Sequence, residues 1–159
     1  MNKRIALAFW LVLALPWLAM ADDGPAEALR AMWDHMRAGD LAAAEAIWFP
    51  VTDTAFAAEQ RAAMAENTAA LQSGDIRVEI LDSRVQGELA IVVVKYTVTV
   101  EGETTEQIQN EVMARRDGRW TYVFKELMSD ETMAAYDEAD FIALEEWWWS
   151  ARDGYRGGP

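Results

Sequence analysis

The chain contains no cysteine among its 159 residues. If it is exported, it has neither a disulfide framework nor the lipid-bearing cysteine of a lipoprotein, so packing alone must hold the fold together. There is also only one histidine, His35. Only carboxylates remain as metal ligands, and Glu138, Glu145 and Glu146 lack the glycine-turned loop of a calcium site. We therefore expect no metal and no cofactor.

Basic residues are scarce as well. The sequence has 14 lysines and arginines against 27 aspartates and glutamates, for a net charge of -13 at pH 7. This balance argues against nucleic acid and against docking on anionic lipid. There is no serine nucleophile elbow and no glycine-rich phosphate loop, which argues against the enzymes that depend on those motifs.

The first 21 residues have the pattern of a secretory signal peptide. Lys3 and Arg4 precede an apolar stretch from Ile5 to Leu18, and residues 19–21 form an A-x-A cleavage signature. A transmembrane anchor is the alternative, but about 14 apolar residues fall short of the roughly 20 that a spanning helix needs. We predict cleavage after Ala21 and a mature protein in a bacterial periplasm, not anchored to the membrane, with secretion as the second choice.

The first part of the mature chain has helical periodicity. A helix is predicted from Pro25 to Ala38, where Gly39 stops it, and a shorter one from the cap Asp40 to Pro50. A third, alanine-rich helix is predicted to run to about Leu71.

From Asp75 to about Leu127 the period changes to two and β-branched residues accumulate. Turn residues divide this stretch into four strands, and Asp117 with Gly118 is a strong hairpin signal. Ser129 is a candidate cap for a last helix to about Ala151. We predict an α+β fold with N-terminal helices on a curved antiparallel four-stranded meander, plus an extra C-terminal helix. Residues 22–152 form one domain in this prediction, and 153–159 a flexible tail.

A family resemblance rests on the order of these elements and on four motifs. The motifs are the corner Gly39, Asp40 and Leu41, the strand Val92 to Val100, the Glu101 and Gly102 turn, and the Asp117, Gly118, Arg119 and Trp120 hairpin. Over roughly Ala26 to Phe124 the chain resembles the nuclear transport factor 2-like (NTF2-like, cystatin-like) superfamily, and most closely its small exported lumazine-binding-like members of unknown function. The resemblance implies an α+β cone, often with a pocket at its open end. It implies no activity, because this fold carries many functions.

The predicted pocket is the first candidate site. Trp33, Trp48, Tyr96 and Asn110 are the candidate ligand-binding residues, because a polar group inside an apolar face needs a hydrogen-bond partner, which a ligand or the neighbouring backbone can supply. The length of the turn at Glu101 decides which face points inward. Two turn residues put Tyr96 opposite Gln107, and three put it opposite Ile108 with Asn110 nearby, which gives the cleaner apolar face.

The run Trp147, Trp148 and Trp149 is the second candidate site. Three consecutive helical residues span about 200°, so if Trp147 and Trp148 pack against the body, Trp149 points elsewhere. Exposed aromatics are favoured anchors in protein interfaces, and Trp147 and Trp149 are therefore candidate partner-binding residues. The alternative is packing within the chain.

We expect an exported, non-catalytic domain that binds a small apolar ligand or an envelope protein. The alternative is a small acid/base enzyme of the ketosteroid isomerase or polyketide cyclase type, with Asp137 or Asp140 as base and Tyr96 as hydrogen-bond donor. We assign no catalytic residue, since neither acid aligns with the catalytic residues of the family, and His35 is expected on the surface. A homodimer through an outer sheet face bearing Trp120, Tyr122 and Phe124 is a third option.

Overall fold

The computed structural model of the chain describes residues 24–128 and 134–156. The predicted leader and the predicted helix cap at Ser129 lie outside the described residues.

Three helices come first and end at local signals. Helix α1 is Pro25–Ala38, α2 is Leu41–Glu45 and α3 is Thr54–Ser73. Gly39 ends α1 with a positive φ of 77°, and its N–H donates to the carbonyl of Met36. The carboxylate of Asp53 caps α3 by accepting from two backbone N–H groups.

Helix α2 is shorter than predicted because the following residues join the sheet. Phe49 donates its N–H to the Tyr122 carbonyl at 2.7 Å, and Tyr122 donates back to the Ile47 carbonyl at 2.7 Å. Trp48 and Tyr122 thus form a parallel bridge. These backbone groups leave the helix because they have partners on a strand far away in sequence.

The sheet is the predicted antiparallel meander. Its strands are β1 Ile76–Gln86, β2 Leu89–Val100, β3 Glu103–Arg116 and β4 Arg119–Val123, and they lie side by side in that order. Two-residue turns join them, and Asp117 and Gly118 both have the positive φ expected of the hairpin signal. The fold class predicted from the sequence is confirmed.

The sheet has an apolar core on each face. Even-numbered residues of β2, such as Val92 and Val94, pack against α1 to α3 on the inner face, and odd-numbered ones, such as Ile91 and Val93, face outward. A bulge in β1 between Ile80 and Asp82 interrupts the pairing there.

The C-terminal helix covers the outer face. This helix, α4, spans Glu138–Arg156 and packs Leu144 and Trp148 against β2 and β3. The Asp137 carboxylate caps it by accepting from the Ala139 N–H at 2.9 Å. The helix continues into the predicted tail, where the hydroxyl of Tyr155 donates to Asp82 on β1 at 2.6 Å.

The aromatic residues of the β3–β4 hairpin lie on the inner side of the sheet, not on the outer face expected from the sequence. Trp120 and Tyr122 belong to the core beneath the helices. Phe124, just after β4, packs against Trp48 and Phe56. The surface suggested for a homodimer is therefore buried inside the domain.

Candidate functional site

A cavity of about 460 Å³ lies between the helices and the inner face of the sheet. Its walls come from α1, α3 and all four strands and combine apolar and polar side chains. The lining comprises Met32, Trp33, Met36, Trp48, Ala63, Met64, Leu71, Ile76, Val78, Tyr96, Val98, Tyr122 and Phe124, with polar Gln60, Asn67, Gln107, Gln109, Glu111, Lys125 and Glu126. Asn67, Gln107, Lys125 and Glu126 are exposed and form the rim. An apolar cavity with a few converging polar groups is the usual form of a small-molecule site.

A buried carboxylate stands in this cavity. The side chain of Glu111 lines the cavity, although the residue is only 5% exposed. Its Oε1 accepts a hydrogen bond from the Tyr96 hydroxyl at 2.8 Å, and its Oε2 accepts one from the Tyr122 hydroxyl at 3.1 Å. The two tyrosines reach it from β2 and β4, the strands on either side of β3.

The turn at Glu101 and Gly102 creates this arrangement. It contains two residues, so Tyr96 pairs with Gln107 rather than with Ile108, and Glu111 pairs with Val92. Val92 and Tyr96 have the same parity on β2, which places Glu111 and Tyr96 on the inner face. A loop longer by one residue would shift the register of β3 by one position and place Glu111 on the outer face of the sheet.

Burial sets the protonation equilibria of these groups. It raises the pKa of the Glu111 carboxyl above its usual value, against the opposing effects of the Tyr96 hydrogen bond, the positive charge of Lys125 and the Tyr122 hydrogen bond. Burial likewise raises the pKa of Tyr96 and of Tyr122, and the neighbouring Glu111 charge adds to this. The tyrosines therefore remain neutral hydrogen-bond donors, and burial favours the protonated form of Glu111.

Edge-to-face aromatic contacts connect the residues of the cavity wall. The ring of Phe124 contacts Trp48 with a centroid distance of 5.0 Å, Tyr122 at 5.0 Å and Phe56 at 5.5 Å, each nearly perpendicular. Trp33 meets the Tyr96 ring at 6.0 Å in the same way. Such pairs fix ring orientation as well as adding stability.

The structure brings together three of the four candidate ligand-binding residues. Trp33, Trp48 and Tyr96 all line the cavity. Asn110 does not, because the two-residue turn puts it opposite Val93, on the face toward α4. Its Oδ1 accepts a hydrogen bond from the Lys125 Nζ at 3.2 Å.

The candidate partner-binding residues lie on α4. Trp147 is partly buried against the outer core, and the guanidinium of Arg84 lies 5.8 Å from the centre of its ring. Trp149 is 54% exposed, and the guanidinium of Arg152 lies 4.0 Å from its ring centre. The Arg152 side chain therefore lies over one face of the Trp149 ring, and about half of the residue remains exposed.

The acids considered for catalysis lie away from the cavity. Asp137 is the exposed cap of α4, and Asp140 lies beside Gly87 in the β1–β2 turn. Both belong to the outer side of the sheet. His35 is partly exposed on α1 and lines a different surface groove.

Sequence reasoning missed Glu111 and Tyr122. The signal that could have found them is the alternation Gln107, Gln109 and Glu111 on β3, which becomes an inner row once the turn is assigned two residues. A charged residue in that row ends up inside the apolar core, where it needs partners.

The described residues, 24–128 and 134–156, contain neither a candidate membrane span nor a candidate metal site. No helix in this part of the chain is both long and apolar enough to cross a membrane. No group of three or more histidine, aspartate or glutamate side chains there is arranged to hold a metal ion.

Fold and site together define a small α+β domain with an inner cavity. No family model matches the chain, and no curated protein does so either. Among solved structures, a SEC-C motif containing protein from Rhodopseudomonas palustris is similar at 15% identity over 65% of this chain and 77% of that one, with a TM-score of 0.48.

Structures described as NTF2-like are also similar. One is described as an NTF2-like transpeptidase from Campylobacter jejuni, at 13% identity over 64% of this chain and 100% of that one, with a TM-score of 0.46. Another is an NTF2-like protein of unknown function from Shewanella oneidensis, at 17% identity over 61% and 89%, with a TM-score of 0.46. At these identities the likeness concerns the fold alone.

Proposed function

We propose that this domain binds a small, largely apolar molecule in the inner cavity, with one polar group of that molecule facing Glu111. The observation that supports it is the Glu111 carboxylate, nearly fully buried and held by two tyrosine hydroxyls inside an aromatic wall. A buried carboxylate costs free energy, and a folded core would be more stable with an apolar residue there. A role for Glu111 in binding a polar group of the ligand explains why the fold carries this cost.

The cavity suits a ligand of one or two rings. Its volume of about 460 Å³ falls in the usual range for small-molecule sites, roughly 300 to 1,000 Å³. Trp33, Trp48 and Phe124 provide flat apolar walls, and Met32, Met36 and Met64 can adjust to irregular shapes.

Indole N–H signals in NMR spectra can locate a bound probe. We expect 1-naphthalenemethanol, added to the isotope-labelled protein, to shift the signals of Trp33 and Trp48 and to leave that of Trp149 in place. Ala63→Phe puts a ring into the cavity and should abolish the shifts. Ala62→Phe, on the exposed face of the same helix, is the matched control and should not. Shifts confined to Trp149, or unchanged shifts in Ala63→Phe, would rule out the cavity.

We further propose that the domain works in the periplasm, or outside the cell, after removal of residues 1–21. Mass spectrometry of the protein recovered from the periplasm of a bacterial host tests this directly. The expected mature chain begins at Asp22. A chain that stays in the cytoplasm with its first 21 residues attached would contradict the proposal.

The exposed side of α4 favours an envelope protein as an additional partner. Trp149 and Ile142 lie seven residues apart on one helix face, and both are about half exposed. A photo-crosslinking residue at position 149 should give a specific adduct in whole cells. The same residue at the exposed position 59, on α3, is the control and should not give that adduct. Equal adducts from both positions would indicate random contact.

An acid/base enzyme is the second candidate, and Glu111 is the observation that favours it. A carboxylate whose pKa is raised by burial can take a proton next to a carbonyl, and the Tyr96 hydroxyl beside it can donate to the substrate oxygen once it gives up its hydrogen bond to Glu111. Exchange of the α-protons of 2-tetralone in heavy water tests this. If the protein is such an enzyme, Glu111→Gln should reduce the exchange rate by a factor of about 10² to 10⁴. Equal rates in the variant would exclude catalysis by Glu111.

A further inference from the structure

Glu111 has no direct ion-pair partner within the described part of the chain. Both carboxylate oxygens accept hydrogen bonds, but the donors are neutral tyrosine hydroxyls. None of the ion pairs found among residues 24–128 and 134–156 includes Glu111. A charge buried this deeply is normally paired or neutralised by a proton.

The charges at the cavity rim do not supply the missing partner. Lys125 and Glu126 are neighbours of opposite sign, so the three charged residues that line the cavity leave one net negative charge. The Nζ of Lys125 donates to Asn110 at 3.2 Å, on the other face of β3. Its charge lowers the pKa of Glu111 but does not form one of the ion pairs found among the described residues.

The carboxylate retains room for another donor. An ionised carboxylate has about four acceptor positions, and the two tyrosines occupy two of them. A third donor arriving from the cavity can therefore bind without displacing either tyrosine.

The aromatic wall also favours a cation. Aromatic faces attract cations, more strongly where water is excluded. The cation–π contacts found in the described residues involve Phe49, Trp147 and Trp149, none of which lines the cavity. The faces of the cavity aromatics have no cation partner there.

We propose that the ligand is a protonated amine with an apolar body, whose ammonium group pairs with Glu111 while its body packs between Trp33, Trp48 and Phe124. This inference rests on the proposed binding function and names the chemical class of the ligand. The net charge of -13 adds a long-range attraction for cations.

Three probes that share one ring system separate charge from shape. They are 1-naphthylmethylamine, the neutral 1-naphthalenemethanol and the anionic 1-naphthoate, each titrated calorimetrically into the protein at pH 7 and low salt. We expect the amine to bind at least about tenfold more tightly than the alcohol, and the acid to bind least, because a paired buried charge stabilises the complex.

Glu111→Gln keeps the size of the side chain and removes its charge. The amine should then bind no better than the alcohol, while the alcohol keeps its affinity. Glu106→Gln is the matched control, since it removes an exposed carboxylate from the same strand, and it should leave the preference intact.

The outcomes distinguish this inference from the proposed function. If the alcohol binds as tightly as the amine, or if Glu111→Gln still prefers the amine, the amine inference is wrong and binding in the cavity survives. If none of the three probes binds, the proposed function fails with it. The comparison of the three probes on the unaltered protein decides the matter even if Glu111→Gln does not fold.

Discussion

The hydroxyl of Tyr96 lies 2.8 Å from the Oε1 of Glu111, and this contact joins the two central strands across the floor of the cavity. The two residues are 15 positions apart in sequence and meet because a two-residue turn fixes the register of β2 and β3. Tyr122 completes the arrangement from β4. A polar cluster of this kind inside an apolar cavity is the feature on which the functional proposals rest.

Removing the Tyr96 hydroxyl should lower the free energy of unfolding. Tyr96→Phe takes one donor from a buried carboxylate, and we expect a loss of about 1 to 3 kcal/mol by urea unfolding, the range for hydrogen bonds to charged groups. Tyr155→Phe removes a similar bond to Asp82 near the surface and should cost less than about 1 kcal/mol. Equal losses in the two variants would show that the buried hydrogen bond from Tyr96 to Glu111 stabilises the fold no more than the bond near the surface does.

The raised pKa of Glu111 should appear as a pH dependence of stability. An unfolded glutamate titrates near 4.5, and burial moves the folded value upward. Between the two values the folded state holds a proton that the unfolded state releases, so stability falls as pH rises through this window.

Glu111→Gln should lack that contribution. The difference in free energy of unfolding between the variant and wild type should therefore shift in favour of the variant as pH rises above 4.5. Urea unfolding of both proteins from pH 4 to pH 8 measures this difference. Asn67→Ala, which removes an uncharged side chain at the cavity rim, is the control and should run parallel to wild type. A Glu111→Gln curve that also runs parallel to wild type would contradict the burial effect.

Phe124 should be the most costly aromatic residue of the cavity wall to truncate. It is 9% exposed and makes three edge-to-face contacts, so Phe124→Ala should lose about 3 to 5 kcal/mol of stability. Ile142→Ala, at a half-exposed position on α4, should change stability by about 0.5 kcal/mol or less. A loss below about 1 kcal/mol for Phe124→Ala would mean that the wall is not packed as described.

A side chain at Gly87 should lower the stability of the fold. Its φ is 57°, and a Cβ there would overlap the carboxylate of Asp140. Gly87→Ala should therefore cost about 1 to 3 kcal/mol. Gly118→Ala has open space around it and carries only the cost of its positive φ of 76°, so it should cost less. Asp140→Ala should recover part of the Gly87→Ala loss, and no recovery would contradict the overlap.

Much of the fold could be predicted because local signals determine it. Helix α1 begins and ends where Pro25 and Gly39 indicate, and the Asp117 and Gly118 turn lies between two strands. Both signals act through the φ angles that these residues favour, so they need no knowledge of distant contacts.

Features that depend on distant pairing could not be predicted. The end of α2 depends on the bridge between Trp48 and Tyr122, more than 70 residues apart in sequence. The inward position of Glu111 depends on the length of the turn before β3. Hydrophobic alternation alone does not give this length, because the inner row of β3 contains the polar residues Gln107, Gln109 and Glu111. The sequence therefore indicated the aromatic wall but not the carboxylate inside it.

A crystal structure of the protein soaked with 1-naphthylmethylamine tests the central proposal most directly. We expect the ammonium nitrogen to lie about 2.7 to 2.9 Å from a Glu111 carboxylate oxygen, with the naphthyl ring between Trp33 and Trp48. An amine bound elsewhere, or one lying in the cavity with its nitrogen turned away from Glu111, would contradict it.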